Sequence, residues 1–240
     1  MLTTIATGRL RARSVAFALV ARILGPDTSG LCDPETVDAL RTALHTADDQ
    51  RALRRLDSFD PSELPDDASL AGRWVRWFDL GRVAPYEASN VTSTVGGVTP
   101  RLADIAGFYR AFNATVVSDR PDHVVAELEF VALSLITEAE ALEQGNNELA
   151  DIAASATRSF LRDHLGGWID AWAARVDAID ELAPWLPFAA VAAELVRTEA
   201  AVRNVIPLRD LAALPADAGV PTDDEAIIAC EDGLDGTDVF

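Results

Sequence analysis

Apolar residues recur with a helical period almost everywhere between Arg9 and Asn204, and no stretch alternates apolar and polar as a half-buried strand does. That pattern restricts the chain to an all-α fold. Eight helices can be read from it: Arg9–Ile23, Pro34–Thr46, Ala68–Leu80, Leu102–Asn113, Pro121–Gln144, Leu149–Leu165, Trp168–Glu181 and Trp185–Asn204. Gly25-Pro26 stops the first helix, Pro34 suits the first turn of the second, and Gly145-Asn146-Asn147 ends the longest, Pro121–Gln144. Lengths and connections vary too widely for a simple four-helix bundle. The expectation is a single irregular helical domain of about eight or more helices over residues 1–214.

Two segments depart from the pattern. Residues 81–100, GRVAPYEASNVTSTVGGVTP, contain Gly96-Gly97 and Pro100 and are expected to form a long internal loop. A loop of about 20 residues inside a compact domain is usually functional or disordered. Residues 215–240 hold eight acids and no base, and are expected to be an acidic, disordered tail.

Charge narrows the partners. The net charge is −19, all 20 basic residues are arginine, and there is no lysine. An acidic, lysine-free surface suits solubility in very high salt, where screening relieves self-repulsion, so a halophilic source is expected. The same charge disfavours nucleic acid, which needs a basic face, and favours a cationic, arginine-bearing peptide. No run of 18 apolar residues occurs, so no membrane span is expected. The short apolar stretch from Val15 to Ala21 ends at Arg22 and reads as part of an amphipathic helix, not a signal peptide. Cys32 and Cys230 make no disulfide framework and fit a reducing cytoplasm.

Residues 120–130, RPDHVVAELEF, concentrate the chemistry. Ser118 or Asp119 could cap a helix here, with Pro121 in its first turn and Asp122 at the positive end of its dipole. Capping leaves His123, Glu127 and Glu129 over. His123, Glu127 and Ser134 share one polar stripe, whereas Glu129 falls on an apolar one, where a buried pairing is expected. A metal site would need three or four ligands, and His45 and His164 are the only other histidines. No nucleophile elbow, phosphate loop or dinucleotide fingerprint is present. Catalysis therefore has little support.

Four segments together resemble the TorD/DmsD/NarJ chaperones, or redox enzyme maturation proteins. They are Pro85-Tyr86-Glu87, the helix LADIAGFYRAFN (Leu102 to Asn113), Asp119-Arg120-Pro121-Asp122-His123 with Glu127-Leu128-Glu129-Phe130, and FLRDHLGGW (Phe160 to Trp168). They occur in the family's order. The pairing of Pro-Tyr-Glu with Glu-Leu-Glu-Phe looks most like the branch serving type II enzymes of the dimethyl sulfoxide reductase family. That branch usually continues Pro-Tyr-Glu with Thr-x-Tyr, where this chain has Ala88-Ser89-Asn90.

The resemblance implies a cytoplasmic, non-enzymatic chaperone in anaerobic respiration. It would bind the twin-arginine signal peptide and apo form of a molybdopterin oxidoreductase catalytic subunit, assisting cofactor insertion and delaying export. It implies no cofactor or metal of its own, and a monomer or helix-exchanged dimer. Carboxylates beside an apolar groove suit such a leader. The expected peptide-binding residues are Asp122, His123, Glu127, Tyr86, Glu87, Trp77, Phe108 and His164. Aromatics at helical spacing are ordinarily core, so Tyr86, in the loop, is the first choice among them. Two other readings stay open at this point: a helical metal-dependent enzyme using His123, Glu127 and His164, and a scaffold that recruits partners through its acidic tail.

Overall fold

The structure, a computed structural model, describes residues 2–91, 97–116 and 120–209, with side chains from residue 6 onward. The acidic segment 215–240 and Cys230 lie outside the described residues, as do Ser118 and Asp119. Among the described residues there are eleven α-helices and no strand. They are α1 (Leu2–Leu24), α2 (Ser29–Cys32), α3 (Pro34–Ala47), α4 (Gln50–Leu56), α5 (Asp67–Trp74), α6 (Glu87–Asn90), α7 (Val98–Ala111), α8 (Val124–Glu143), α9 (Asn147–Asp163), α10 (Leu165–Asp177) and α11 (Leu186–Val202). The all-α expectation holds. No described helix is long and apolar enough to cross a membrane.

Helix α8 is the axis of the fold. Its sequence is apolar nearly all round, and it is covered by α1, α9 and α10. Polar groups on its buried length are satisfied in place: Ser14 Oγ donates to Ala132 O at 2.7 Å, and Thr157 Oγ1 to Ser134 Oγ at 2.8 Å. The fully buried Glu199 on α11 lies between Arg13 of α1 and Arg203, which also pairs with Glu138 of α8. Three helices are thus tied by one ionic network, whose members would be costly to remove singly.

Three differences from the sequence reading have local causes. Residues 50–56, expected as polar connection, form α4, because Asp49 caps it by accepting from Ala52 N. The helix expected over 68–80 loosens at Trp74 into a π-helical segment, Val75–Asp79. Its aromatic face still enters the core, where Phe78 packs edge-on against Trp74 and Trp185. The break expected at Gly166-Gly167 falls instead at His164, and both glycines lie inside the first turn of α10. A Cβ on Gly166 would meet Leu161 O at 2.2 Å, and one on Gly167 would meet Leu208 O at 2.5 Å. The glycines therefore serve close packing: the segment Val205–Arg209 crosses here, with Leu208 N donating to Arg162 O.

Candidate functional site

The expected long loop is built around a contact with the start of α8. Gly81 turns the chain with φ 82°, and Tyr86 is extended where the chain meets the start of α8. Glu87 N then donates to Asp122 O at 2.8 Å, and Val124 N to Pro85 O at 2.7 Å. These bonds flank a single antiparallel bridge between Tyr86 and His123. The short helix α6 follows, steadied by Asn90 Nδ2, which donates to Tyr86 O and Ala84 O.

The cap of α8 differs from the expectation. The helix begins at Val124, not Pro121, and its N-cap is His123, whose Nδ1 accepts from Val125 N at 3.1 Å. His123 is extended, so the chain before it can pair with the Tyr86 loop while the helix starts immediately after. Asp122 is wholly buried, and its carboxylate takes a two-pronged contact from Arg120: Nε to Oδ1 at 3.0 Å and Nη2 to Oδ2 at 2.7 Å. Ala88 N also donates to Oδ2. The Arg120 guanidinium lies over the Tyr86 ring, 4.6 Å from its centre.

Beneath this corner is a buried acid cluster. Glu87 and Glu127 are fully buried. Glu87 faces His164 Nδ1 at 3.2 Å and pairs with Arg101 of α7. The other ring nitrogen, Nε2, lies 3.2 Å from Asp104 Oδ2, so the imidazole sits between two carboxylates. Burial pushes the Glu87 carboxyl upward, but the hydrogen bond and charge of His164, with help from Glu127 and Arg101, outweigh it and hold Glu87 below its ordinary value. Glu127 goes the other way. Burial, then the neighbouring Glu87 charge, lifts it well above its ordinary value, although Trp168 Nε1 donates to its Oε2 at 3.1 Å. Glu127 Oε1 has no donor aimed at it among the described residues, as fits a protonated oxygen that itself donates to Glu87.

A wall of aromatics closes the cluster on one side. Phe108 packs against His164, Phe160 and Phe130, and Tyr109 donates its hydroxyl to Pro121 O at 2.6 Å. On the outer side an open cleft of about 440 Å³ runs along α8. His123, Val125, Ala126, Glu129, Phe130 and Leu133 supply its α8 wall, and Val116 and Pro26 face them. Glu129, expected in a buried pairing on an apolar stripe, is instead exposed at this cleft. The apolar stripe is real, but it lines an open groove, and partial burial there raises the Glu129 carboxyl.

Seven of the eight expected residues, Asp122, His123, Glu127, Tyr86, Glu87, Phe108 and His164, meet at this corner. Trp77 does not join them: its indole donates to Glu181 at 2.8 Å, with Arg76 and Arg82 over its ring. The three residues of the metal reading are each engaged by a protein partner. Among the described residues no group of three or more His, Cys, Asp or Glu side chains is placed to hold a metal. Sequence reasoning missed Arg120, Arg101 and Trp168. Arg120 and Trp168 stood inside segments already singled out, adjoining Pro121-Asp122-His123 and closing FLRDHLGGW. Arg101 carried no signal, because its partner Glu87 is 14 residues away across a connection without period.

The chain is 31% identical over 119 residues to the selenate reductase assembly chaperone protein of Thauera selenatis, an alignment covering 47% of this chain and 60% of that one. It is 32% identical over 119 residues to the chlorate reductase assembly chaperone protein of Ideonella dechloratans, with the same shares covered. The chain thus spans 60% of the length of these relatives. The family model for the nitrate reductase delta subunit matches residues 37–174, a stretch that contains the whole corner from Tyr86 to Trp168. With more than half its length matched, the chain belongs to the nitrate reductase delta subunit family, the group that its four segments resembled.

Proposed function

We propose that this protein is a cytoplasmic, non-catalytic assembly chaperone that binds the apo catalytic subunit of a molybdopterin oxidoreductase together with its twin-arginine leader. Cofactor insertion then precedes export. Family membership and the names of the two relatives support this reading, and their selenate and chlorate reductases favour a client of the type II dimethyl sulfoxide reductase branch. The observation that carries it is the cleft beside His123: an apolar wall on α8, with Glu129 exposed in it and Tyr86 and the Arg120–Asp122 pair adjoining. An apolar stretch preceded by arginines matches that arrangement.

In this reading the leader's apolar segment lies along Val125, Phe130 and Leu133, and its arginines approach Glu129 and the mouth at Tyr86 and Asp122. Glu87, Glu127, His164 and Phe108 shape the corner from below without touching the peptide, because they are buried or turned inward on protein partners. The assignment is tested by calorimetric titration of the leader peptide in high salt, where bare charge attraction is screened. Binding of the twin-arginine leader, weakened by Lys-for-Arg changes, is expected. No binding of either leader or apo subunit would overturn the reading.

A further inference from the structure

We propose that Asp122 and Tyr86 form a guanidinium-recognition site for an arginine side chain of the bound peptide, and that Arg120 of this chain fills that site in the unliganded protein. The inference rests on the proposed function for its ligand and on local geometry for the rest. The Asp122 carboxylate is 0% exposed, whereas the Arg120 side chain over it is 45% exposed. The acid is the floor of a pit and the guanidinium is its cover. The contact has both features that separate arginine from lysine recognition: a two-pronged bond to the carboxylate, and an aromatic face beneath the planar group.

The floor also has supports besides the cover. Ala88 N donates to Asp122 Oδ2, and the Tyr86–His123 bridge holds the aromatic wall against the start of α8. If Arg120 swings out, the carboxylate and the ring remain placed for another guanidinium. Arg120 is the half-exposed member of the pair, so it can leave toward solvent, but the buried carboxylate must then be matched by an incoming guanidinium. The site also communicates with the cleft: His123 lines the cleft, and its ring packs edge-on against Tyr86 at 5.1 Å. An arginine tethered to an apolar segment in the cleft would exchange like for like with Arg120. Such an exchange yields little affinity by itself, but it rejects lysine, which cannot form the fork. Arg120 thus sets a threshold that only a peptide also anchored in the cleft would cross.

The test uses the full-length Arg120→Ala protein. Methylguanidinium should raise its melting temperature more than methylammonium at equal concentration, and should leave the wild-type protein unmoved. The twin-arginine leader should bind Arg120→Ala at least about tenfold more tightly than wild type, because its arginine meets an unmatched buried carboxylate instead of displacing a guanidinium from it. A twin-lysine leader should gain nothing, and the further change Asp122→Asn should abolish both effects. No preference for methylguanidinium, or a leader affinity equal to or below that of wild type, overturns the proposal. Should Arg120→Ala fail to fold by circular dichroism, Arg120→Gln carries the same comparisons. A wild-type protein that binds no leader would refute the chaperone reading, while the methylguanidinium comparison would still decide whether the site exists.

Discussion

His164 Nδ1 lies 3.2 Å from Glu87 Oε2, joining the turn between α9 and α10 to the first residue of α6 across 77 residues of sequence. Both side chains are buried, and Arg101 completes the pairing. Glu87→Ala would leave the buried His164 and the half-buried Arg101 without their shared acceptor. The expected cost is about 3–5 kcal/mol of stability by urea unfolding, the usual result of removing one partner from a buried ionic set. An Ala variant as stable as wild type would mean that the loop, not the carboxylate, holds the corner together.

Glu127 should impose a pH dependence. Its folded value is raised above the ordinary 4.5, so between those two limits the folded state holds a proton that the unfolded state has released. Its stabilisation is complete below 4.5 and is lost as pH rises through the folded value. Glu87, held low, acts in the opposite sense and is lost as pH falls. Glu127→Gln keeps an acceptor for Trp168 and a donor for Glu87 while removing the titration. Urea midpoints at about pH 5 and about pH 8 should show the variant gaining on wild type as pH rises. An unchanged difference would show that Glu127 is ionised in the fold.

Gly166 should not tolerate a side chain. The obstructing atom for a Cβ is Leu161 O, which is backbone and cannot step aside, with Pro207 beyond it. Gly166→Ala is expected to cost about 1–3 kcal/mol through strain at the start of α10. Hydrogen exchange at the Leu208 amide, bonded to Arg162 O, should accelerate in the variant. A Leu208 amide as protected as in wild type would contradict this.

The net charge of −19 should make stability rise with salt. Self-repulsion is screened within a few ångströms at high ionic strength, while the buried Arg13–Glu199–Arg203 network is screened much less. The melting temperature should therefore increase from about 0.1 M to about 1 M potassium chloride. A decrease would place the dominant electrostatic contribution in attractive surface pairs.

The helical fold was legible because periodicity marked each long helix and chain punctuation marked several ends. Asn113 and Asn204, read as helix ends, take the left-handed conformation that asparagine tolerates. The corner was legible as a set of residues but not as an arrangement. Periodicity placed His123, Glu127 and Ser134 on one stripe, and all three are buried. It could not show that the carboxylates expected to meet foreign arginines already hold Arg120 and Arg101, since both pairings cross irregular chain. Glu129 was misplaced because a stripe pattern reports which residues are apolar, not whether another element covers them. Here an open cleft does the lining.

Hydrogen exchange of the full-length protein with and without the twin-arginine leader tests the central claim most directly. The account predicts new protection over residues 123–133 and 114–116, the two walls of the cleft. Protection confined to the separate clefts around residues 51–65 and 183–197, with the start of α8 unchanged, would contradict it.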